Sequence, residues 1–491
     1  MSKLIGKAPH QVPTNADLGT LAFQDSKSAR INQAQIDTLK NVPDLENDYP
    51  TVRPAFVNDF ANAKEIDPRL QFIRSTSGSY YDEQGVIQYA GANEPRFDHD
   101  PITGECKGLL IEYAKTNYCY HSREPRGIGL SNAVGEVVKE FAPDGGDAYK
   151  FTTTSGATGR ATIRNYDADK NGWAYAASVS ANATVTHSVF VHPGTWGRIW
   201  SIWDDIGGSS YAGAGVKITL PTDGTNFYYH TEDWNSSGNP VTVRAEHVGR
   251  DWWRLSVTFV TTTGSTIIAV MAGDVNNNPT YAGEHFYGWG IQSEEASYPS
   301  SFISTGHNQV TRGVDIAEMY EDDVKQIYNQ YSSSVYIDFI PIARTGLNTF
   351  AMSIGSSNTN YWGFAYCGQS DLPTAQVYLR EATGSSFTWY NLEAEEWDEE
   401  NHVYNQSIKQ AAAGNTASWS TAQNGRDDFL EYNFSVNNHS GLPRWDSTSN
   451  AFTLKIGPTH FSNSTGFYHI RKIATYKQKL TNANLRAITE N

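Results

Sequence analysis

A dense run of acidic side chains comes closer to hydrolytic chemistry than any other part of this sequence. The run surrounds Trp397 and consists of Glu393, Glu395, Glu396, Asp398, Glu399 and Glu400. Glycoside hydrolases use two carboxyl groups at a set separation, one as acid and the other as base or nucleophile. Acids packed this densely repel one another in a buried site and are typical of a solvated face. We therefore predict no catalytic residue, and glycan cleavage at this run remains the alternative.

Exposed aromatic rings are the second kind of candidate, because a ring stacks on the C–H face of a sugar. The tryptophans that lie among polar, loop-like residues are the predicted glycan-binding residues: Trp234, Trp397 and Trp445. The alternative is that they cover loops or lie in a subunit interface. The tryptophans on alternating, strand-like segments are predicted to be core: Trp253, Trp289 and Trp362.

Two carboxylates in the segment FDHDPITG, Asp98 and Asp100, suggest a metal at first sight. They would share one face of a strand, but a turn closed by Gly104 explains them without an ion. Arg96 is expected to form a structural ion pair with Asp98. We predict no metal here.

A calcium-loop pattern begins at Asp167–Gly172, and a weaker one lies at Asp274–Asn278. The twelfth position of the first pattern is Ser178, whereas a calcium loop places a bidentate glutamate there. The flanking segments are also strand-like. Both patterns therefore predict turns, and the sequence predicts no metal and no cofactor.

The elements that must position these residues are mainly strands. The chain has 491 residues, with 13% aromatic, 18% charged and 41 glycines. This composition favours many short strands and turns over helices, and the length favours two or three domains. The net charge of −16 argues against nucleic acid and anionic membranes as partners. No apolar run long enough to span a membrane and no secretory leader is found.

The cysteines, Cys106, Cys119 and Cys367, have no metal-like spacing. We expect reduced thiols, as in a protein assembled in cytoplasm, with a Cys106–Cys119 disulfide as the alternative.

Apolar alternation predicts two β-sandwiches, one over residues 123–306 and one over residues 307–491. In the first, Trp253, Leu255, Val257 and Phe259 alternate with polar residues, and glycine turns separate such runs. In the second, the alternation of Phe467–Tyr476 slips between Ile470 and Ile473, which predicts a β-bulge. After it, Thr481 is predicted to cap a helix that carries Leu485 and Ile488.

The N-terminal residues 1–67 cannot form a core of their own. Their first part is polar and has few apolar residues: Leu4, Ile5, Val12, Leu18, Leu21 and Phe23. Such a segment becomes ordered when it docks on another protein. A disordered tail is the alternative. A short helix is predicted over Ala29–Asn41, and the remaining residues to Asp67 are predicted as a linker.

Residues 68–122 are predicted as a series of hairpins, with turns at Asp82–Gly85 and Asp100–Gly104. The pattern R-x-S, then Y-x-D-x-x-G-V, A-N-x-P-R-F-D-H-D-P-x-T-G and G-L-L-I-E-x-A-x-T-N resembles a segment common in tail and fibre proteins of tailed phages. The stretch Tyr287–Asp315, with W-G, an acidic pair and V-T-R-x-x-D, resembles a junction in phage appendage proteins. There it links a carbohydrate-binding-like sandwich to the next module.

Two further segments carry the same resemblance. QVPTNADLGTLAFQD is similar to the N-termini of structural proteins of marine and cyanobacterial phages. FYHIRKIATY and the residues after it resemble the end of laminin-G/concanavalin A-like sandwiches in phage fibres. The resemblance implies two tandem jelly-roll or concanavalin A-like β-sandwiches, preceded by the hairpin-rich segment and an extended N-terminal anchor.

The function implied is that of a virion protein: a tail fibre, or a capsid-attached fibre or decoration, assembled in the host cytoplasm. It would dock by its N-terminus on a tail adaptor or nozzle, a portal or the capsid. It would display its sandwiches for adhesion to a host-surface glycan, most simply as a homotrimer. A tailspike-like polysaccharide depolymerase is the alternative from another class, and a decoration without a ligand is a third.

Overall fold

The structure is a computed structural model. It describes residues 53–490 except residues 124–127, 132, 155–161, 168–171, 174–176, 181, 196–198, 205–214, 221–227, 232–241, 262–264, 267, 273–282, 345–348, 358–359, 368–373, 381–386, 393–406, 426–431, 434–441, 446–451 and 458–465.

Short strands and one helical turn fill the first part of the described chain. They are β1 Phe56–Asp59, α1 Phe60–Ala63, β2 Gln71–Ile73, β3 Gly78–Tyr81, β4 Ile87–Ala90, β5 Phe97–His99, β6 Cys106–Ile111 and β7 Lys115–Asn117.

In the middle part, the elements that the structure describes are all strands. They are β8 Ile128–Ser131, β9 Ala133–Val138, β10 Ala148–Thr153, β11 Thr162–Asp167, β12 Gly172–Trp173, β13 Ala177–Ser178, β14 Thr184–His192, β15 Ile199–Asp204, β16 Gly215–Thr219, β17 Tyr228–Thr231, β18 Thr242–His247, β19 Trp253–Val260, β20 Ser265–Thr266, β21 Ile268–Ala272 and β22 His285–Glu294.

The last part adds two helices. Its elements are β23 Val310–Arg312, β24 Ile316–Met319, α2 Glu321–Ile327, β25 Ser332–Arg344, β26 Thr349–Ser357, β27 Asn360–Cys367, β28 Thr374–Arg380, β29 Phe387–Leu392, β30 Ile408–Asn415, β31 Ser418–Gln423, β32 Tyr432–Asn433, β33 Thr453–Ile456, β34 Gly466–Tyr476 and α3 Asn482–Glu490. The fold is mainly β, as the sequence predicted, and the strand pairings among the described residues are antiparallel.

The terminal sandwich is built from both ends of the described chain. Its first sheet is 8-stranded, with the order β32-β31-β30-β25-β34-β6-β5 and with β1 also paired to β34. Its second sheet is 7-stranded, with the order β2-β24-β33-β26-β27-β28-β29. Buried side chains of both sheets share one core, among them Phe72, Leu109, Ile337, Phe364 and Ile470. Residues 56–111 therefore complete a sandwich whose other strands begin at residue 316.

The inserted sandwich lies between β7 and β23. One sheet is 6-stranded, β18-β19-β14-β22-β10-β9, and the other is 7-stranded, β12-β11-β21-β15-β16-β17 with β8 paired to β11. The strands β7 and β23 form a two-stranded ribbon in which Asn117 pairs with Val310 and Lys115 with Arg312. The chain thus leaves the terminal sandwich and returns to it through neighbouring strands.

This connection differs from the predicted tandem order. Residues 68–122 are not a separate hairpin-rich segment, because β2, β5 and β6 belong to the sheets of the terminal sandwich. The linker predicted up to residue 67 ends before Phe56, which is buried on β1. Alternation shows that a segment is a strand, but it does not show which distant strand is its partner.

Several local predictions are confirmed. The register of β25 and β34 shifts where Asp338 pairs with Lys472 and Phe339 with Ile470, so Arg471 is the extra residue of the predicted bulge. Helix α3 buries Leu485 and Ile488 against the outer face of the first terminal sheet. The tryptophans predicted as core are at most 3% exposed: Trp253, Trp289 and Trp362.

Two of the cysteines, Cys106 and Cys119, are free thiols. Cys106 and Cys119 are both buried and unpaired, so the alternative disulfide is wrong. Burial raises the pKa of the Cys106 thiol, which keeps it protonated near neutral pH. Among the described helices, none has both the length and the apolar character needed to cross a bilayer.

Candidate binding site

A network of buried charges joins the two sandwiches beside the β7–β23 ribbon. Its members are at most 2% exposed: Arg74, Arg96, Glu112, Arg312 and Asp315. Oε2 of Glu112 accepts from Nη1 of Arg96 and from Nη1 of Arg312, each at 2.7 Å. Asp315 accepts from Nη1 of Arg74 at 3.0 Å and also from Nη2 of Arg96. Buried charges are tolerated when they are paired in this way, and removal of one partner is costly.

Backbone and hydroxyl groups complete the network. Ser301 donates its backbone N–H to Oε1 of Glu112 at 2.7 Å and its hydroxyl to Oε2 at 2.6 Å. Arg96 donates to the carbonyl of Ser79 at 2.8 Å, and Arg312 donates to the carbonyl of Tyr113. The network therefore ties the hairpin β3–β4, strand β6 and the segment after β22 into one rigid junction.

The charges at this junction shift one another's pKa values. Burial of Glu112 works against its ionisation, but the guanidinium groups of Arg312 and Arg96 outweigh it and lower the pKa of Glu112 to about 2. Burial likewise works against the charge of Arg96, but Asp315 and Glu112 raise its pKa above the usual value. Glu112 and Arg96 are thus both charged at neutral pH.

The network is made of the motif residues that carry the resemblance to phage fibres. Arg74, Arg96 and Glu112 come from the hairpin-rich segment, and Arg312 and Asp315 come from V-T-R-x-x-D. The predicted pair of Arg96 with Asp98 is wrong. Arg96 directly precedes β5, and its partners are Glu112 and Asp315. Asp98 instead accepts from the backbone N–H of Tyr81 and from His469.

A cleft of about 980 Å³ opens beside the network, between the two sandwiches; we call it the junction cleft. One wall comes from β3, the β5–β6 turn and β34, and the other from β14, the corner between β18 and β19, and residues 298–302. Its volume lies at the upper end of the range of about 300–1,000 Å³ that is common for small-molecule sites.

Two histidines and a carboxylate lie on the first wall. Nε2 of His469 donates to Oδ2 of Asp98 at 2.8 Å, and the backbone N–H of Tyr81 donates to Oδ1 of Asp98 at 2.7 Å. Nδ1 of His99 donates to the carbonyl of Tyr81 at 2.9 Å. Burial lowers the pKa of His469 below its usual value, although Asp98 opposes the shift, so His469 is neutral near pH 7. The bond to Asp98 places the proton of the neutral His469 ring on Nε2.

The second wall carries groups of the inserted sandwich. The hydroxyl of Tyr298 donates to Oε1 of Glu246 at 2.8 Å, and the guanidinium of Arg244 lies 4.5 Å from the centre of the Tyr298 ring. The guanidinium of Arg254 lies 5.2 Å from the centre of the Phe190 ring. Its Nη2 donates to Oγ of Ser188 at 3.1 Å. Aromatic and charged groups therefore face the cleft together.

The carboxylates of the cleft are held by protein donors. Asp100 accepts from the backbone N–H groups of Ile102 and Thr103 and pairs with Lys107 at 3.2 Å. Asp98 and Glu112 are engaged as described above. Within the described part of the chain, no group of three or more His, Cys, Asp or Glu side chains could hold a metal ion. This arrangement suits binding through hydrogen bonds and ring stacking.

The predicted site residues are not brought together by the described structure. Trp234 and Trp397 lie outside the described residues, as does the acidic run Glu393–Glu400. Trp445 is half-buried, and its ring centre lies 5.8 Å from that of Phe452 at the edge of the terminal core. Glycan binding by these tryptophans stays a prediction.

Other predicted sites also lie outside the described residues. These are the docking residues Leu4, Ile5, Val12, Leu18, Leu21 and Phe23, and most of both calcium-loop patterns. Of the first pattern, Asp167 ends strand β11 and Gly172 begins strand β12, and the two residues pair. The residues between these two strands lie outside the described part of the chain, so the turn stays a prediction.

Sequence reasoning missed the residues of the junction cleft. Glu246 and Arg254 are polar residues on alternating strands, which predicts a solvated face, and Tyr298 was noted only as part of a connector. The one sequence signal was that Arg254 interrupts an otherwise apolar strand end, W-W-R-L. Nothing in the sequence placed these residues opposite His99 and His469.

No protein-family model matches the chain, and no curated protein matches it. Solved structures give weak similarities. The carbohydrate-binding module CBM40 of Ruminococcus gnavus IT-sialidase, bound to α2,3-sialyllactose, is 13% identical over 34% of this chain and 86% of its own, with a TM-score of 0.26. Domains LG4-5 of the mouse laminin α1 chain are 11% identical over 62% of this chain and 87% of theirs, with a TM-score of 0.22.

Domain 4 of AbnA, a GH43 arabinanase of Geobacillus stearothermophilus, in complex with arabinotriose, is 12% identical over 39% of this chain and 82% of its own, with a TM-score of 0.26. Scores this low assign neither a fold family nor a function to this chain. Its own strand pairings define its class: a mainly antiparallel β protein with one sandwich inserted into another.

Proposed function

We propose that this chain is a virion appendage protein of a tailed phage that displays two β-sandwiches for adhesion to a host-surface glycan. The appendage is a tail fibre, or a capsid-attached fibre or decoration. It docks on the particle through its N-terminal residues and makes no chemical change to the glycan.

The observation that carries the proposal is the buried network at the junction. Its charged members belong to the two segments that resemble phage fibre proteins, and they hold the sandwiches rigidly against each other. A receptor-binding appendage needs such rigidity, because a binding site formed by two modules loses affinity when the modules move freely. Carboxylates in the junction cleft are occupied by protein donors, which favours binding over catalysis.

The first experiment asks whether the protein is part of a particle. Antibodies raised against the purified chain should label virions made from the genome that encodes it, in electron micrographs of intact particles. Unlabelled virions, with the chain found only in the infected cell lysate, would contradict the virion role.

The second experiment separates adhesion from cleavage. Purified full-length protein is incubated with envelope polysaccharide from a panel of cyanobacterial hosts, and both retained protein and new reducing ends are measured. We expect retention without new reducing ends. Release of oligosaccharides would replace the proposal by the depolymerase alternative, and the absence of retention on every polysaccharide would leave a decoration without a ligand.

A further inference from the structure

The junction cleft contains an unusual concentration of buried polar atoms that the protein itself does not pair. Among the described residues, three such nitrogen atoms belong to residues that line the cleft: Nε2 of His99, Nε of Arg254 and Nδ1 of His469. Each of these residues is at most 7% exposed. Because a buried polar atom without a partner is costly, several of them around one cleft indicate a ligand with hydrogen-bonding groups.

The protonation of these nitrogens restricts what that ligand is. His99 donates through Nδ1 to the carbonyl of Tyr81, so Nε2 is the ring nitrogen left for a ligand. His469 donates through Nε2 to Asp98, so Nδ1 of its neutral ring is an acceptor. The Nε–H of Arg254 is a donor only. A ligand that pairs with both His469 and Arg254 must therefore donate on one wall and accept on the other.

A hydroxyl group meets both demands, since it is a donor and an acceptor at once. A phosphate, sulfate or carboxylate group would accept from Arg254, but when ionised it has no proton for Nδ1 of His469. Half-buried rings of Tyr81 and Tyr298 also line the cleft and offer faces on which the C–H groups of a sugar can stack.

We propose that the junction cleft binds a neutral segment of an oligosaccharide through its hydroxyl groups, held between His99 and His469 on one wall and Arg254 and Tyr298 on the other. This inference rests on the proposed function, since it names the place and the chemical class of the glycan to which the appendage adheres.

The test uses the full-length protein and an array of neutral, uronic-acid-containing and sulfated oligosaccharides. Binding to the strongest array member is then measured by calorimetry for three cleft variants. His99→Phe and Arg254→Met remove hydrogen-bonding groups at similar volume, and we expect each to weaken binding about tenfold, the effect of losing one or two hydrogen bonds.

The third variant guards against effects on folding. Ile102 lines the rim of the cleft and is 54% exposed, so Ile102→Trp narrows the entrance without disturbing a core. Val134→Trp is its matched control, because Val134 is 59% exposed on β9 and does not line the cleft. We expect Ile102→Trp to weaken binding about tenfold and Val134→Trp to bind as the wild type does.

The outcomes separate this inference from the proposed function. Binding of a neutral oligosaccharide to the wild type, weakened in the cleft variants, supports both the proposed function and the cleft as its site. If all three cleft variants bind the array as the wild type does, the cleft is not the binding site, and glycan adhesion still stands. Binding confined to sulfated or uronic-acid members overturns the hydroxyl argument. No binding to any member overturns glycan adhesion and the cleft with it.

Discussion

Arg96 and Glu112 form an ion pair with no access to water, Nη1 to Oε2 at 2.7 Å, at the point where the inserted sandwich meets the terminal one. Glu112 also holds Arg312 and Ser301, so one carboxylate connects the hairpin segment with the residues that follow the inserted sandwich. The junction therefore depends on a side chain that contributes to neither hydrophobic core.

Replacing Glu112 by glutamine should destabilise the protein strongly. Glu112→Gln leaves Arg96 and Arg312 buried without their shared counter-charge, and loss of one partner of a buried pair costs about 3–5 kcal/mol. Urea unfolding monitored by tryptophan fluorescence measures the change. Asp147→Asn is the control, because Asp147 pairs with Lys139 on the surface and its loss should leave the midpoint unchanged. Equal midpoints for wild type and Glu112→Gln would show that the network does not hold the junction.

The same carboxylate predicts a pH dependence. The pKa of Glu112 falls from 4.5 to about 2 on folding, so the folded state binds this proton less tightly than the unfolded state does. The resulting stabilisation is complete above about pH 4.5 and is lost as the pH falls through about 2. Thermal unfolding between pH 5 and pH 2 should show a smaller loss of stability for Glu112→Gln than for wild type. Parallel curves for the two proteins would argue against this linkage.

Gly108 should tolerate no side chain. Its φ is +106°, and a Cβ atom there would lie 2.3 Å from the carbonyl oxygen of Ile470 on the paired strand β34. Gly108→Ala should therefore lower stability by at least about 1–3 kcal/mol, the cost of a strained backbone, with the clash in addition. Gly306→Ala is the control, since its Cβ would meet nothing within 4 Å. Equal melting temperatures of the two variants would contradict the close approach.

The N-terminal residues should be needed for the particle and not for the fold. Deletion of residues 2–25 should leave the melting temperature unchanged, because the described sandwiches begin at β1, Phe56–Asp59. The truncated chain should be absent from purified virions. Leu18→Asp combined with Phe23→Asp should have the same effect, since charge in an apolar groove costs several kcal/mol. Normal copy number of either variant in virions would move the docking site to residues 68–122.

The full-length protein is expected to be a homotrimer. β modules displayed from a particle gain rigidity by packing around a shared axis. Light scattering at micromolar concentration should give about three times the chain mass of 54.3 kDa. A stable monomer would contradict the trimer, unless assembly on the particle itself yields one.

Local structure could be predicted from the sequence more fully than the pairing of strands that lie far apart in the chain. The bulge at Arg471 and the buried face of α3 each follow from apolar spacing within about ten residues. The nesting of one sandwich in another does not, because it depends on pairs such as Arg74 with Asp315, which are 241 residues apart. No local pattern specifies a partner at that distance.

The candidate binding site could not be predicted from the sequence for the same reason. Its walls combine His99 and His469 with Arg254 and Tyr298, and each of these residues is unremarkable within its own segment. The sequence shows the arginines and carboxylates of the motif, but only the folded structure shows which of them are neighbours. Arg96 shows this well, since its nearest acid in sequence is Asp98 and its partners are Glu112 and Asp315.

The ribbon of β7 and β23 also bears on how such a protein changes over evolutionary time. The hydroxyl groups of Thr116 and Thr311 lie 2.7 Å apart, so the inserted sandwich enters and leaves its host at almost one point. A recombination event that exchanges all residues between these two positions would keep both sheets of the terminal sandwich in register, whatever the size of the replacement domain. A lineage could thereby exchange the whole inserted sandwich in one step while the terminal sandwich descends unchanged.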